Sequence, residues 1–249
     1  MKRPVLKGII PATVLPMDSR YRRDEEALRR YVGWLLSFDI GGLAVNVDTG
    51  EGPHLYHEER IRVLEVVSEV VKGKAPVIAG LPASFTEQAV KMARDYLDAG
   101  ADALLVFPIP SFRGAKPAEV AYRYHKALAE EADAPIVLFQ LQPDLGGIIY
   151  DEETIRRLLS IDHVVAIKEA SFDAKIFIDT ERIVREERDD VAFLTGNDNF
   201  ILESFILGAE GALIGFGTLA TGLQVEMYKM VKARRYGEAF RIYERIRPL

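Results

Sequence analysis

The sequence predicts a single (β/α)8 barrel, and three observations carry the prediction. Short apolar runs alternate with longer amphipathic segments along the whole chain, strand then helix, which demands a parallel sheet. There are eight such units in 249 residues, the size at which a parallel sheet closes on itself as one domain. No glycine-rich dinucleotide fingerprint follows the first strand; Pro16-Met17-Asp18 stands there, which disfavours an open doubly wound sheet.

The strands are expected at residues 8–15, 42–47, 76–79, 103–107, 135–140, 164–168, 191–195 and 212–215. Each is short, rich in Val, Ile, Leu or Ala, and lacks strict alternation, as strands buried on both faces do. The helices are expected at 24–36, 57–71, 85–99, 117–132, 151–159, 174–187, 199–207 and 223–246. The first has a helical apolar stripe at Leu28, Tyr31, Val32 and Leu35, and Trp34 beside it is expected to pack against the barrel. Gly100 closes the third helix as a C-terminal cap, and Pro117 opens the fourth in its first turn. Residues 98–103 and 207–212 resemble each other, and both read as helix–Gly–strand joints.

Composition narrows the function. Lys and Arg number 32 against 38 Asp and Glu, a formal charge of −6, and the basic residues are interspersed with acidic ones. That is not the basic stripe of a nucleic-acid binder. No apolar run approaches the ~20 residues of a membrane helix, and no signal-peptide core follows Met1-Lys2-Arg3-Pro4. The absence of Cys fits a reducing compartment, so a cytoplasmic location is expected. The histidines at 54, 57, 125 and 163 have no zinc spacing, and neither a P-loop nor a nucleophile elbow is present. No metal or cofactor is expected.

Active sites of such barrels lie at the C-terminal ends of the strands. Lys168 ends the run Val164-Val165-Ala166-Ile167, which would carry its amine into an apolar barrel mouth. Desolvation there lowers the pKa, and a neutral amine attacks carbonyls to form a Schiff base. The alternative is an ion pair with Glu169 or another carboxylate at the barrel rim. Asp48-Thr49-Gly50-Glu51 after the second strand could hold a carboxylate or phosphate on its hydroxyl and amides. Spacing alone favours a plain turn in which Gly50 takes a positive φ and Glu51 caps nearby amides. Asn197-Asp198 could bind a cation or cap a loop, and loop capping is the commoner use of such a pair.

In combination these segments resemble the dihydrodipicolinate synthase / N-acetylneuraminate lyase family, the pyruvate-type class I aldolases. Residues 8–12 resemble its first strand, and Asp48-Thr49-Gly50-Glu51 its G-T-T-G-E carboxylate loop. Val165-Ala166-Ile167-Lys168-Glu169-Ala170-Ser171 resembles its Schiff-base strand, and Gly196-Asn197-Asp198 and residues 208–212 its last two strand signatures. The resemblance implies that Lys168 condenses with pyruvate or another 2-keto acid, and that Thr49 and the amides around Gly50 hold the carboxylate. Asp48, Glu51, Gln140, Leu213 and Gly215 would complete the substrate site. The imine would then permit aldol cleavage or formation, or loss of water from a sugar acid. It also implies a homo-oligomer, a dimer or tetramer.

Four departures accompany the resemblance. Phe139-Gln140-Leu141-Gln142-Pro143 stands at the family's Y-N-x-P, so the catalytic tyrosine position holds a ring without a hydroxyl. Gln140, Asp48 or a water is left to move the proton, and an amide is a poor base. Asp48 replaces the first threonine of the carboxylate loop. Pro108-Ile109-Pro110 replaces P-Y-Y, and Asp144 falls where true dihydrodipicolinate synthases place an arginine. Together they point away from lysine biosynthesis, toward another Schiff-base lyase or a barrel that binds a keto acid without turnover. Relatives continue past the eighth helix, so a barrel lacking most of the family's C-terminal helical extension is expected.

Overall fold

A computed structural model describes residues 3–114 and 116–249. Its strands are β1 (Gly8–Pro11), β2 (Leu43–Val45), β3 (Val77–Leu81), β4 (Ala103–Val106), β5 (Ile136–Leu141), β6 (Val164–Ala170), β7 (Ala192–Thr195) and β8 (Gly211–Ile214). The helices are α1 (Glu25–Leu35), α2 (His57–Val71), α3 (Thr86–Asp98), α4 (Pro117–Ala132), α5 (Glu152–Leu159), α6 (Ala174–Glu187), α7 (Ile201–Ile206), α8 (Thr221–Lys232) and α9 (Tyr236–Ile246). The eight strands form one parallel sheet in the order β1-β8-β7-β6-β5-β4-β3-β2. Its two ends meet through a parallel bridge between Ala12 and Ala44. The Thr13 amide donates to Ala44 O at 2.8 Å and the Gly41 amide to Ile9 O at 2.7 Å across the same seam. The (β/α)8 barrel is therefore present as expected.

Two apolar layers follow from this closure. The inner one fills the barrel with Ile10, Ile78, Leu105, Val137, Leu194 and Leu213 among others. The outer one lies between sheet and helices and takes Leu28, Val32 and Leu35 from the predicted stripe of α1. Trp34 does not join it: 43% of its surface is exposed, and it stacks on Tyr31 and meets Phe38 edge-on instead. The helix–Gly–strand joints form as read, with Gly100 and Gly208 at φ +102° and +119°.

Three boundaries differ from expectation in ways that matter. β1 stops at Pro11, which has no amide to give a ladder, and the chain then turns outward with Val14 exposed. β6 runs on to Ala170, so Lys168 lies within the strand rather than at its end. The expected last helix is two helices. Arg234 adopts a left-handed conformation (φ 57°), its amide donates to Val231 O and that of Arg235 to Met230 O, both at 2.8 Å. This is the hydrogen-bond pattern that ends helices. α9 then buries Ala239, Ile242 and Ile246. No helix among the described residues is long and apolar enough to cross a membrane.

Candidate active site

β5 and β6 run in register, with Phe139 opposite Lys168 and Gln140 opposite Glu169. Side chains alternate across a strand, so the first pair enters the barrel and the second faces the helices. Lys168 is the one residue of β6 that is not fully buried. It opens into a cavity of about 170 Å³ shared with Asp48, Thr49, Phe139, Asp198, Leu213 and Gly215. Its Nζ stands 4.2 Å from the centroid of the Phe139 ring, which meets Phe107 edge-on. Gly196 makes room for it: a Cβ there would lie 2.7 Å from Lys168 Cε and 2.7 Å from Ala170 Cβ.

Burial lowers the Lys168 pKa to about 8, against the opposing pull of the Asp48 and Asp198 charges. The free-amine fraction near neutrality rises by roughly two orders of magnitude over an ordinary lysine. The Phe139 face also favours a cation above it, so the same ring accommodates an ammonium or an iminium.

Asp198 follows β7 in a short 3-10 turn. Burial raises its pKa; the amides of Phe216 and Gly215 and the charge of Lys168 act in the other direction. Its Oδ1 is buried without a hydrogen-bond partner. Gly215 separates it from Thr49: a Cβ on Gly215 would lie 3.3 Å from Thr49 Cγ2 and 3.9 Å from Asp198 Oδ2.

The loop after β2 is a 3-10 turn from Asp48 to Gly50. Its left-handed residue is Glu51 (φ 59°), not Gly50. Gly50 is needed for space, because a Cβ would come within 2.8 Å of Thr13 O. The amides of Gly50 and Gly52 donate to Val47 O and that of Glu51 to Asp48 O. The Thr49 hydroxyl donates to Ala12 O at 2.7 Å, with Thr13 O at 3.2 Å.

Behind β6 lies a buried polar layer. Glu169 accepts from Asn197 Nδ2 (2.6 Å), the Ser171 amide (2.8 Å) and Gln140 Nε2 (3.4 Å). Gln140 also donates to Thr180 Oγ1 at 3.0 Å and accepts from the Tyr150 amide at 3.0 Å. Asn197 Oδ1 accepts from the Phe172 amide at 2.6 Å. Burial raises the Glu169 pKa, and these donors pull it back.

Lys168, Phe139, Asp48, Thr49, Leu213 and Gly215 thus meet around one cavity. Gly50 is buried and Glu51 solvent-exposed, and neither lines the cavity. Gln140 is turned to the helix side, so it neither lines the cavity nor reaches a substrate proton; strand alternation from Lys168 already carried that signal. Glu169 faces away from Lys168 for the same reason. Asp198, for which the sequence offers a cation site or the commoner loop cap, lines the cavity; its place just after the seventh strand is the available clue. Asn197 makes no side-chain bond to the turn it precedes; it ties Glu169 to the Phe172 amide of the loop after β6. Among the described residues no three His, Asp or Glu side chains group to hold a metal.

The profile of the dihydrodipicolinate synthetase family matches residues 5–249. The chain is 32% identical to the 4-hydroxy-tetrahydrodipicolinate synthase of Methanopyrus kandleri, over 98% of this chain and 80% of that protein. It is 31% identical to that of Archaeoglobus fulgidus, over 98% and 82%. Among solved structures, the dihydrodipicolinate synthase of Thermotoga maritima superposes with a TM-score of 0.90 at 26% identity, over 98% and 81%. A structure described as the first monomeric dihydrodipicolinate synthase variant also gives 0.90 at 26% identity, over 99% and 81%.

Proposed function

The chain belongs to the dihydrodipicolinate synthetase family of class I lyases, and from that premise we propose that it is a Schiff-base lyase. Lys168 condenses with pyruvate or a 2-keto-3-deoxy sugar acid, and the reaction is an aldol cleavage or condensation or a dehydration. The observation that carries this is the Lys168 amine, desolvated in the barrel mouth over the Phe139 face. The iminium is itself the electron sink, so the chemistry calls for neither metal nor cofactor, and a chelator should leave turnover intact.

The electrostatics of the cavity support a substrate with a single carboxylate and an uncharged tail. Its lining holds one cation, Lys168, and two carboxylates, Asp48 and Asp198, among mostly apolar neighbours such as Val47, Leu141, Leu145 and Phe172. A second substrate carboxylate would meet like charge with no arginine to receive it, which speaks against the condensation named for the relatives. With the Thr49 proton given to Ala12 O and three loop amides closed inside the turn, the first two amides of the turn, those of Asp48 and Thr49, are the donors left for the substrate carboxylate. Family likeness supports a homo-oligomer and a cytoplasmic location, to be checked by light scattering and fractionation.

Borohydride reduction in the presence of pyruvate or sugar-derived keto acids should leave a covalent adduct on Lys168, read by peptide mass spectrometry, and none in Lys168→Ala. No adduct with any of these acids would sink the reading. Phe139 favours one second reading, a barrel that forms the imine but does not turn it over; trapping without product from any aldehyde or sugar acid would support it.

A further inference from the structure

Phe139 leaves a gap in the chemistry. A Schiff-base cycle needs a group that gives a proton to a leaving hydroxyl and takes one from carbon, and a phenyl ring does neither. Four groups could fill it. Gln140 is turned to the helix side and held by Thr180, Tyr150 and Glu169. The Thr49 hydroxyl gives its proton to Ala12 O. Asp48 lines the same cavity but from its solvent-exposed side, where bulk water competes for its carboxyl. Asp198 lines the cavity with Lys168, and its Oδ1 is buried with no partner.

We propose that Asp198 is the acid–base residue of this enzyme, taking the proton-transfer role that Phe139 cannot perform. The proposal rests on the Schiff-base reading above. Neutral Lys168 Nζ adds to the keto carbon, and after proton transfer from nitrogen to oxygen the product is a carbinolamine. Protonated Asp198 gives its proton to the carbinolamine hydroxyl; the C–O bond breaks, water leaves, and an iminium and the Asp198 carboxylate remain. The carboxylate then removes a proton from the carbon beside the iminium. That C–H pair becomes the enamine double bond, the nitrogen is neutral again, and Asp198 is protonated as at the start.

The surroundings suit both halves of this cycle. Burial raises the proton affinity of Asp198, so it can hold a proton closer to neutrality than a free aspartate. The Gly215 and Phe216 amides and the Lys168 charge stabilise its anion, so it can also give the proton up. The charged groups facing it are Lys168 and, across the cavity, Asp48; Glu169 lies on the other side of the sheet.

The test is exchange of the pyruvate methyl protons in deuterium oxide, followed by proton NMR, run beside borohydride trapping on the full chain. The wild type should trap at Lys168 and exchange. Asp198→Asn keeps size and polarity but cannot carry the proton, and its exchange should fall by about 10²–10⁴-fold while some adduct still forms. Asp198→Glu keeps the acid but alters its reach, and should exchange faster than Asp198→Asn. Wild-type exchange in Asp198→Asn, or a lower rate in Asp198→Glu than in Asp198→Asn, overturns the proposal, the latter because it marks a role of shape alone. A wild type that neither traps nor exchanges overturns the Schiff-base reading itself, and this proposal with it.

Discussion

Phe139 alters the chemistry open to Lys168 more than any other single residue. It keeps an aromatic face 4.2 Å from Nζ and so keeps the cation–π attraction, but removes the hydroxyl that could move a proton. Restoring that hydroxyl is the natural complement to losing Asp198. Phe139→Tyr introduced into Asp198→Asn should raise pyruvate proton exchange by about 10-fold or more, measured by NMR. No rise would mean that the ring's far end does not reach the reacting carbon.

At the scale of the element, β6 works through both of its faces. Lys168 enters the cavity on one, while on the other Glu169 ties Gln140 of β5 to Asn197 beyond β7. The segments that carry Phe139, Lys168 and Asp198 are thereby joined behind the sheet. Glu169→Ala strands the backbone amide of Ser171 and takes one acceptor from Asn197 Nδ2, which keeps the Glu169 carbonyl at 3.0 Å; each such loss costs about 1–3 kcal/mol. We expect a loss of about 3 kcal/mol in chemical denaturation, with a smaller loss in Glu169→Gln. Stability equal to wild type in Glu169→Ala would show that the layer is not load-sharing.

For the whole molecule, His125 couples stability to pH. It lies fully buried on α4, its Nδ1 bonded to Ala121 O at 2.7 Å, its Nε2 without a partner and its ring against those of Phe112 and Tyr124. Burial depresses its pKa to about 4. The unfolded chain therefore binds a proton that the fold refuses between about pH 6.5 and 4. The contribution of neutral His125 is complete above that window and is lost as pH falls through it, up to about 3 kcal/mol. Denaturation at pH 4.5 and pH 7 should show a smaller loss for His125→Phe than for wild type; equal losses would exclude the effect.

The sequence by itself determined the eight strand–helix units and the strand that bears the reactive lysine. Those features are local: amphipathic stripes such as that of α1, buried apolar runs such as residues 164–167, and glycines such as Gly100 where φ must be positive. Lys168, Thr49 and Gly215 could be placed at the barrel mouth because a strand's C-terminal end is a position along the chain. Only the tertiary structure decided what depends on several segments at once. The turn at Arg234 that splits α8 from α9 carries no glycine and is stabilised by the packing of α9. Gly50 is small to clear Thr13 O, 37 residues away in sequence. Asp198 became a cavity residue because closure of the barrel sets which side of each loop faces inward. A carboxylate's burial and the lysine it faces are properties of that closure, not of its neighbours in sequence.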